Sequence, residues 1–280
     1  MNKKFFALVL ALVLALSLTA CGEKAPASSG TDTQAPAESA EPTVLKVAAS
    51  PTPHAEILAQ VKDVLAEQGI DLQIHEYGDY VVPNTAVEEG EEDANYFQHI
   101  PYLESFNEKE GTHLVSVGGI HIEPMGVYAG KTASLEELPD GAEIAIPNDP
   151  TNEGRALLLL EAQGLIKLAD SSNLEATPND IVENPKNLTF KELEAAMIPN
   201  AVDEVDLSVI NVNYALEAGF NPTEDALAIE DADSPYVNIV AVKEGNENNP
   251  AILALVDALQ SDAVRDFINE TYGGAVVPAF

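Results

Sequence analysis

The chain has 280 residues, with 47 acidic and 13 basic side chains and a formal net charge of −34. Such a surface repels phosphate backbones, so nucleic acid is excluded as a partner. One cysteine rules out a disulfide framework, and there is no P-loop, HExxH, GxSxG or strand-borne GxGxxG, so no enzyme and no cofactor is expected.

The N-terminus has the form of a secretory signal. Lys3 and Lys4 precede an unbroken apolar run from Phe5 to Leu16, followed by "SLTAC". The run is short of the roughly 20 apolar residues a membrane span needs. "LTAC" resembles the bacterial lipobox, in which the cysteine becomes the lipidated first residue of the mature protein. Cys21 has no disulfide partner and would stand first after a cut behind Ala20. Residues 1–20 are therefore expected to be a signal peptide. Residues 21–43 are expected to be an acylated cysteine followed by a tether of Ala, Pro, Ser, Thr, Gly and acids, which cannot bury enough surface to fold.

From about Val44, strand-like runs alternate with helical patterns. "VLKVAAS" reads as a strand and "PHAEILAQVKDVLAEQG" as a helix, with Ile57, Leu58, Val61, Val64 and Leu65 at helical spacing and Gly69 as the stop. "IDLQIHEY" alternates as a strand. "DANYFQHIPYL" mixes aromatic rings with His99 directly after the acidic "EEGEED", which suits either a strand packing inward or a pocket wall. "HLVSVGGIHIEPMGVYAG" reads as one or two strands. "AEIAIP" feeds a helix at "NDPTNEGRALLLLEAQG", "DLSVIN" feeds "VNYALEAG", "YVNIVAVKEG" is a further strand, and two helical stretches close the chain. This alternation predicts an α/β protein with mostly parallel sheets. Ligands of such folds sit beyond the carboxyl ends of strands, the position of "DANYFQH", "IPNDPTNEGR" and "VINVNY".

The chemistry of those loops suggests a carboxylate. Asp149 or Thr151 can cap the helix that follows, with Pro150 in its first turn. Arg155, one of two arginines in the chain, then opposes the helix dipole, a conflict that disappears if an anionic ligand sits in front of both. A surface arginine paired with one of the many acids is the plainer alternative. Asn211 ends a strand and Asn238 lies within one; each needs a partner if buried, either nearby backbone or the ammonium and carboxylate of a ligand. Tyr80, Phe97 and His99 would form an apolar wall suited to an aliphatic or thioether side chain, with Tyr96 packed behind.

"PHAEIL", "DYVVPN", "DANYFQHIPYL", "IPNDPTNEGRALLLLEAQGLIKL", "VENPKNL", "SPYVN" and "GGAVVP" resemble the NlpA-type lipoproteins, methionine-binding components of ABC importers. The resemblance spans essentially all of residues 44–280. It implies a type 2 periplasmic-binding-protein fold: two α/β lobes (44–125 with 236–280, and 126–235), two crossover segments and a ligand held in the cleft. It further implies that Arg155 grips the α-carboxylate of methionine, expected to be the L-isomer. Asn211 and Asn238 would bind the amino-acid head, Tyr80, Phe97 and His99 would enclose the side chain, and Asn152 would stand nearby. The implied partners are the membrane permease of an ABC importer and, through the lipid anchor, the extracytoplasmic face of the cell membrane. Glu153 departs from the family pattern, and an acid beside Arg155 would weaken its hold on a carboxylate.

Three other readings are weaker. His54, His99, His121 and Glu123 can be imagined as metal ligands, but only "HIE" approaches the tight spacing zinc sites favour, so no metal site is expected. An enzyme of the same fold would need a nucleophile or an acid–base pair that nothing marks. A methionine-containing dipeptide or another apolar amino acid would be the alternative ligand.

Overall fold

The structure, a computed structural model, describes residues 41–231 and 234–280. The signal segment, Cys21 and the tether up to residue 40 lie outside the described residues. The strand β1 (Thr43–Ala49) opens one residue before the expected start. With β2 (Ile70–Glu76), β3 (Ala94–His99) and β4 (Leu114–Ile122) it begins a first sheet. The chain then crosses through residues 123–125, and β5 (Gly126–Ala129) and β6 (Glu143–Pro147) start a second sheet. β7 (Lys167–Leu168) and β8 (Ile181–Glu183) pair apart as a ribbon. β9 (Thr189–Leu193), β10 (Leu207–Ile210) and β11 (Ala226–Ile229) complete the second sheet. After β11 the chain returns, and β12 (Val237–Lys243) and β13 (Val277–Pro278) join the first sheet. The orders are β13-β4-β12-β3-β1-β2 and β11-β5-β10-β6-β9.

The sheets are mixed rather than mostly parallel. β1 pairs in parallel with β2 and β3, and β6 with β9 and β10. β12, however, runs antiparallel to β3 and β4, and β5 antiparallel to β10 and β11. The cause is the double crossing. A strand fed from the other sheet enters at the end where its new neighbours finish, so β5 and β12 must run against them.

Both sheets are covered on both faces, as strand alternation requires. Along β12, Val240 and Val242 join a core with Leu45, Val47, Ile57, Leu58, Leu255 and Ile268, while Ile239 and Ala241 point the other way to Val87 and Leu103. Along β6, Ile144 and Ile146 meet Leu157 and Leu160, while Ala145 meets Ile198 and Tyr214.

One expected helix is broken. The segment after β1 forms Pro51–Ala55, Glu56–Ala59 and Lys62–Glu67 in place of a continuous run. The Gln60 and Val61 N–H groups bond to the carbonyls of Ile57 and Leu58, a three-residue turn tighter than α-helix. The shift keeps Ile57, Leu58, Val61 and Leu65 buried but rotates Val64 outward, where it is 49% exposed.

Candidate functional site

Three strands of different origin deliver the site. β3 ends at His99, the helix Pro150–Ala162 follows β6, and the helix Val212–Glu217 follows β10. A fourth contribution comes from the start of β12. Because that strand is antiparallel, its first residues lie beside the last residues of its neighbours, with Asn238 opposite both His99 and His121. Tyr80, Phe97, His99, Asn152, Arg155, Asn211 and Asn238 all line one cavity, together with Gln98, Tyr102, Glu123, Val212 and Asn213. The walls stand close: the cavity is about 20 Å³, room for about one water. Beside it a wider cavity of about 500 Å³ shares Tyr80 and Tyr102 and reaches Phe106, Asp149, Glu194 and Tyr214.

The helix Pro150–Ala162 starts as its sequence requires. Asp149 caps it by accepting the Asn152 N–H at 3.0 Å, and Pro150 occupies the first turn. The Asn152 amide donates to both Asp149 oxygens, at 2.9 and 3.1 Å. Its carbonyl oxygen accepts from Asn211 at 2.9 Å and lies 3.2 Å from His99 Nε2. The polar atoms of Asn152 are thus spent on orienting its neighbours. His99 caps its own helix, its Nδ1 accepting from Tyr102 N at 3.2 Å, so its Nε2 carries the proton donated to Asn152. Burial, reinforced by Arg155, lowers the His99 pKa to about 3, and the ring is neutral.

Arg155 is neither a surface residue nor unpaired. It is 3% exposed, and its Nε lies 3.1 Å from each oxygen of Glu230. Its Nη2 donates to Glu230 Oε2 and, at 2.7 Å, to the Glu123 carbonyl, and its guanidinium lies 4.3 Å from the centre of the Tyr236 ring. Both crossings of the chain are therefore tied to this one side chain. Glu153, the acid beside it in sequence, makes no bond to it. Nη1 donates to no described residue.

The apolar wall is a run of aromatic contacts. The Tyr80 ring lies 5.8 Å from those of Phe97 and Tyr102 and 5.0 Å from that of Tyr214. Tyr80 donates its hydroxyl to Asn213 Oδ1 at 2.6 Å. Tyr96 is fully buried behind the cavity, bonded to His121 Nδ1. Two buried atoms of cavity residues have no hydrogen-bond partner among the described residues: Asn211 Oδ1, an acceptor, and Asn213 Nδ2, a donor. Together with Arg155 Nη1 they supply donors and an acceptor for a molecule carrying both kinds of group.

The sequence profile of the NlpA lipoproteins matches residues 45–280. The chain belongs to the NlpA lipoprotein family. Among its relatives is the methionine-binding lipoprotein MetQ of Bacillus subtilis, 42% identical over 281 residues, covering 99% of this chain and 98% of that one. A nutrient-binding protein of Burkholderia cenocepacia, solved with methionine bound, is 45% identical, with a TM-score of 0.81 over 84% of this chain and 100% of that one. A periplasmic substrate-binding protein of an ABC transporter from Coxiella burnetii is 43% identical, with a TM-score of 0.80 over 84% and 100%. The two-sheet, twice-crossed architecture of this NlpA family member is that of the periplasmic-binding-protein fold.

Glu230, Asn213, Tyr236 and Gln98 were not singled out from sequence. Nothing local distinguishes Glu230 among 47 acids. Asn213 sits two residues beyond Asn211 on the same strand-to-helix connection, and that position was the only signal for it. Of the four imagined metal ligands, His54, His121 and Glu123 do converge, each offering an atom within 4.8 Å of the others, while His99 faces Asn152 instead.

Proposed function

We propose that this protein is an extracytoplasmic, lipid-anchored solute-binding protein that captures methionine and hands it to the permease of an ABC importer. The observation that carries this reading is the composition of the shared cavity. A guanidinium nitrogen, an amide N–H and an amide oxygen, none with a hydrogen-bond partner among the described residues, belong to side chains lining one cavity beside a wall of aromatic rings. Arg155 Nη1 and Asn213 would take the α-carboxylate, Asn211 and Asn238 the rest of the amino-acid head, and Tyr80, Phe97 and His99 the thioether. Asn152 would hold His99 and Asn211 in place. The lobes would be 44–125 with 236–280, and 126–235, in keeping with the membership of the two sheets. Membrane attachment would rest on acyl chains at Cys21, since among the described residues no helix is long and apolar enough to cross a membrane.

The relatives named for methionine and for ABC transport support the same reading. Calorimetry of the purified protein with L-methionine, D-methionine and glycyl-methionine is the test. Saturable binding of methionine that Arg155→Ala weakens by a factor of roughly 30 or more, as expected for one half of a buried charged pair, would support it. Binding of none of the three, or methionine binding indifferent to Arg155→Ala, would refute it.

A further inference from the structure

Glu123 is the one acid lining the cavity, and no lysine or arginine side chain pairs with its carboxyl among the described residues. Arg155 and Glu230 neutralise each other across paired hydrogen bonds. Glu123 has only two imidazoles as ion-pair partners among the described residues. Its Oε1 lies 2.7 Å from His121 Nε2 and 3.2 Å from His54 Nε2. Both rings are buried and neutral, their pKa values lowered by burial to about 3 for His121 and about 4 for His54. The remaining oxygen accepts the Asn213 N–H at 3.1 Å.

The His121 and Asn213 N–H groups thus orient the carboxyl, with His54 Nε2 bonded to Asn238 beside it, and none of them brings a formal positive charge. Burial pushes its carboxyl upward, against His54, Arg155 and the Asn213 N–H, which pull it down. Burial thus favours the neutral carboxyl, and a cation placed beside it is what would hold it ionised. The acceptors around it point the same way, because Asn211 Oδ1 has no partner among the described residues and Asn238 Oδ1, held 3.0 Å from His54 Nε2, retains a second lone pair.

Resting on the amino-acid-binding reading above, we propose that Glu123 is the counter-charge for the ammonium group of the ligand, with His54 and His121 as positioning residues. The site would then select zwitterionic amino acids over acids of the same shape that lack the ammonium. Two oppositely charged subsites, Arg155 Nη1 and Glu123, would read the two ends of the amino-acid head. A divalent metal ion is the rival cation, since His54, His121 and Glu123 converge, and it would have to displace the protons on the two imidazole Nε2 atoms. The Tyr96 hydroxyl is shared with His121 Nδ1, and by donating there it leaves the proton on Nε2. His54 Nε2 faces two acceptors, Glu123 and Asn238, and must also carry its proton. An ammonium needs no such proton displacement, and the chelator arm of the experiment below separates the two cations.

The experiment compares L-methionine with its hydroxy acid analogue, in which a hydroxyl replaces the ammonium, by calorimetry on wild-type protein and on Glu123→Gln. Wild type should prefer methionine by roughly 30-fold or more, the usual effect of a buried charged contact. That preference should collapse towards unity in Glu123→Gln. Equal binding of the two ligands by wild type would overturn the proposal without any variant, so a Glu123→Gln protein that fails to fold leaves the test standing. A Glu123→Gln protein that keeps the full preference would overturn it while leaving methionine binding intact. Loss of methionine binding by wild type after chelator treatment, restored by zinc, would assign the cation to a metal and overturn it as well. Failure of wild type to bind methionine at all would instead remove the reading on which the proposal rests.

Discussion

Glu230 occupies the Nε and Nη2 edge of the same guanidinium that is proposed to receive the ligand carboxylate, so Glu230→Gln should move stability and affinity in opposite directions. The substitution keeps the side-chain shape but leaves Arg155, 3% exposed, without its anion. Breaking a fully buried pair costs about 3–5 kcal/mol. The Glu230 side chain is 16% exposed, so a loss of about 1–3 kcal/mol is the fitting range. The ligand gains what the protein loses. Carboxylates on opposite edges of one guanidinium stand about 6–7 Å apart, where their repulsion at an effective dielectric of about 20 is about 2–3 kcal/mol. Allowing for relaxation, methionine affinity should rise by about 1–2 kcal/mol, or roughly 5- to 30-fold. Thermal melts read the first effect and isothermal calorimetry the second. If Glu230→Gln lowers affinity along with melting temperature, the ion pair serves to hold Arg155 in place and the charge-competition argument fails.

Phe97→Ala should weaken methionine binding by about 1–3 kcal/mol through lost ring and thioether contact. The ring also packs on Tyr80 and Tyr102, so the melting temperature should fall too; unchanged affinity by calorimetry would assign Phe97 to the core alone. Glu153 gives a pH signature. Burial, with Glu192, Asp149 and Asp180 nearby, pushes its carboxyl from 4.5 to about 7. A folded-state pKa above the unfolded one means that its contribution is fully present below about pH 4.5 and is lost as pH rises through about 7. Melts of Glu153→Gln should therefore match wild type near pH 4 and exceed it near pH 8 by about 1 kcal/mol after discounting for screening, or about 2–4 °C; a constant offset across pH would refute the assignment. Cys21→Ala should shift the protein from the membrane to the soluble fraction on centrifugation, and persistence in the membrane would remove the lipid anchor.

The elements that periodicity marks plainly were legible, among them β10 and β12, which lead to Asn211 and Asn238, whereas β3 with Phe97 and His99 stayed open between a strand and a pocket wall. Arg155 stood out because arginine is rare in this chain and badly placed for a helix dipole, and both facts are local. Asn238 could be picked as a buried amide in a strand, but its arrival at the cavity depends on β12 running against β3. Strand direction was the feature read wrongly, because the double crossing leaves no mark on residue spacing. Glu230 escaped for a related reason, and Glu123 was weighed only as a metal ligand. Their roles come from being brought together at the two crossings, more than a hundred residues apart in sequence. Val64 shows the limit of helical spacing: five positions fit one apolar stripe, and a single tight turn removed one of them.

β12 also sets the order in which this molecule can be assembled. It sits between β3 and β4, yet it is made from residues 237–243, after the whole second sheet. As the chain is synthesised, strands β5 to β11 can find all their partners while β3 and β4 still lack the neighbour they share. Pairing at such sequence separation is slow, and a half-built sheet leaves open edges. The N-terminal part, which must lead if the chain is exported, is thus the part that finishes last. The first sheet is complete only once residues 237–243 and 277–278 have joined it.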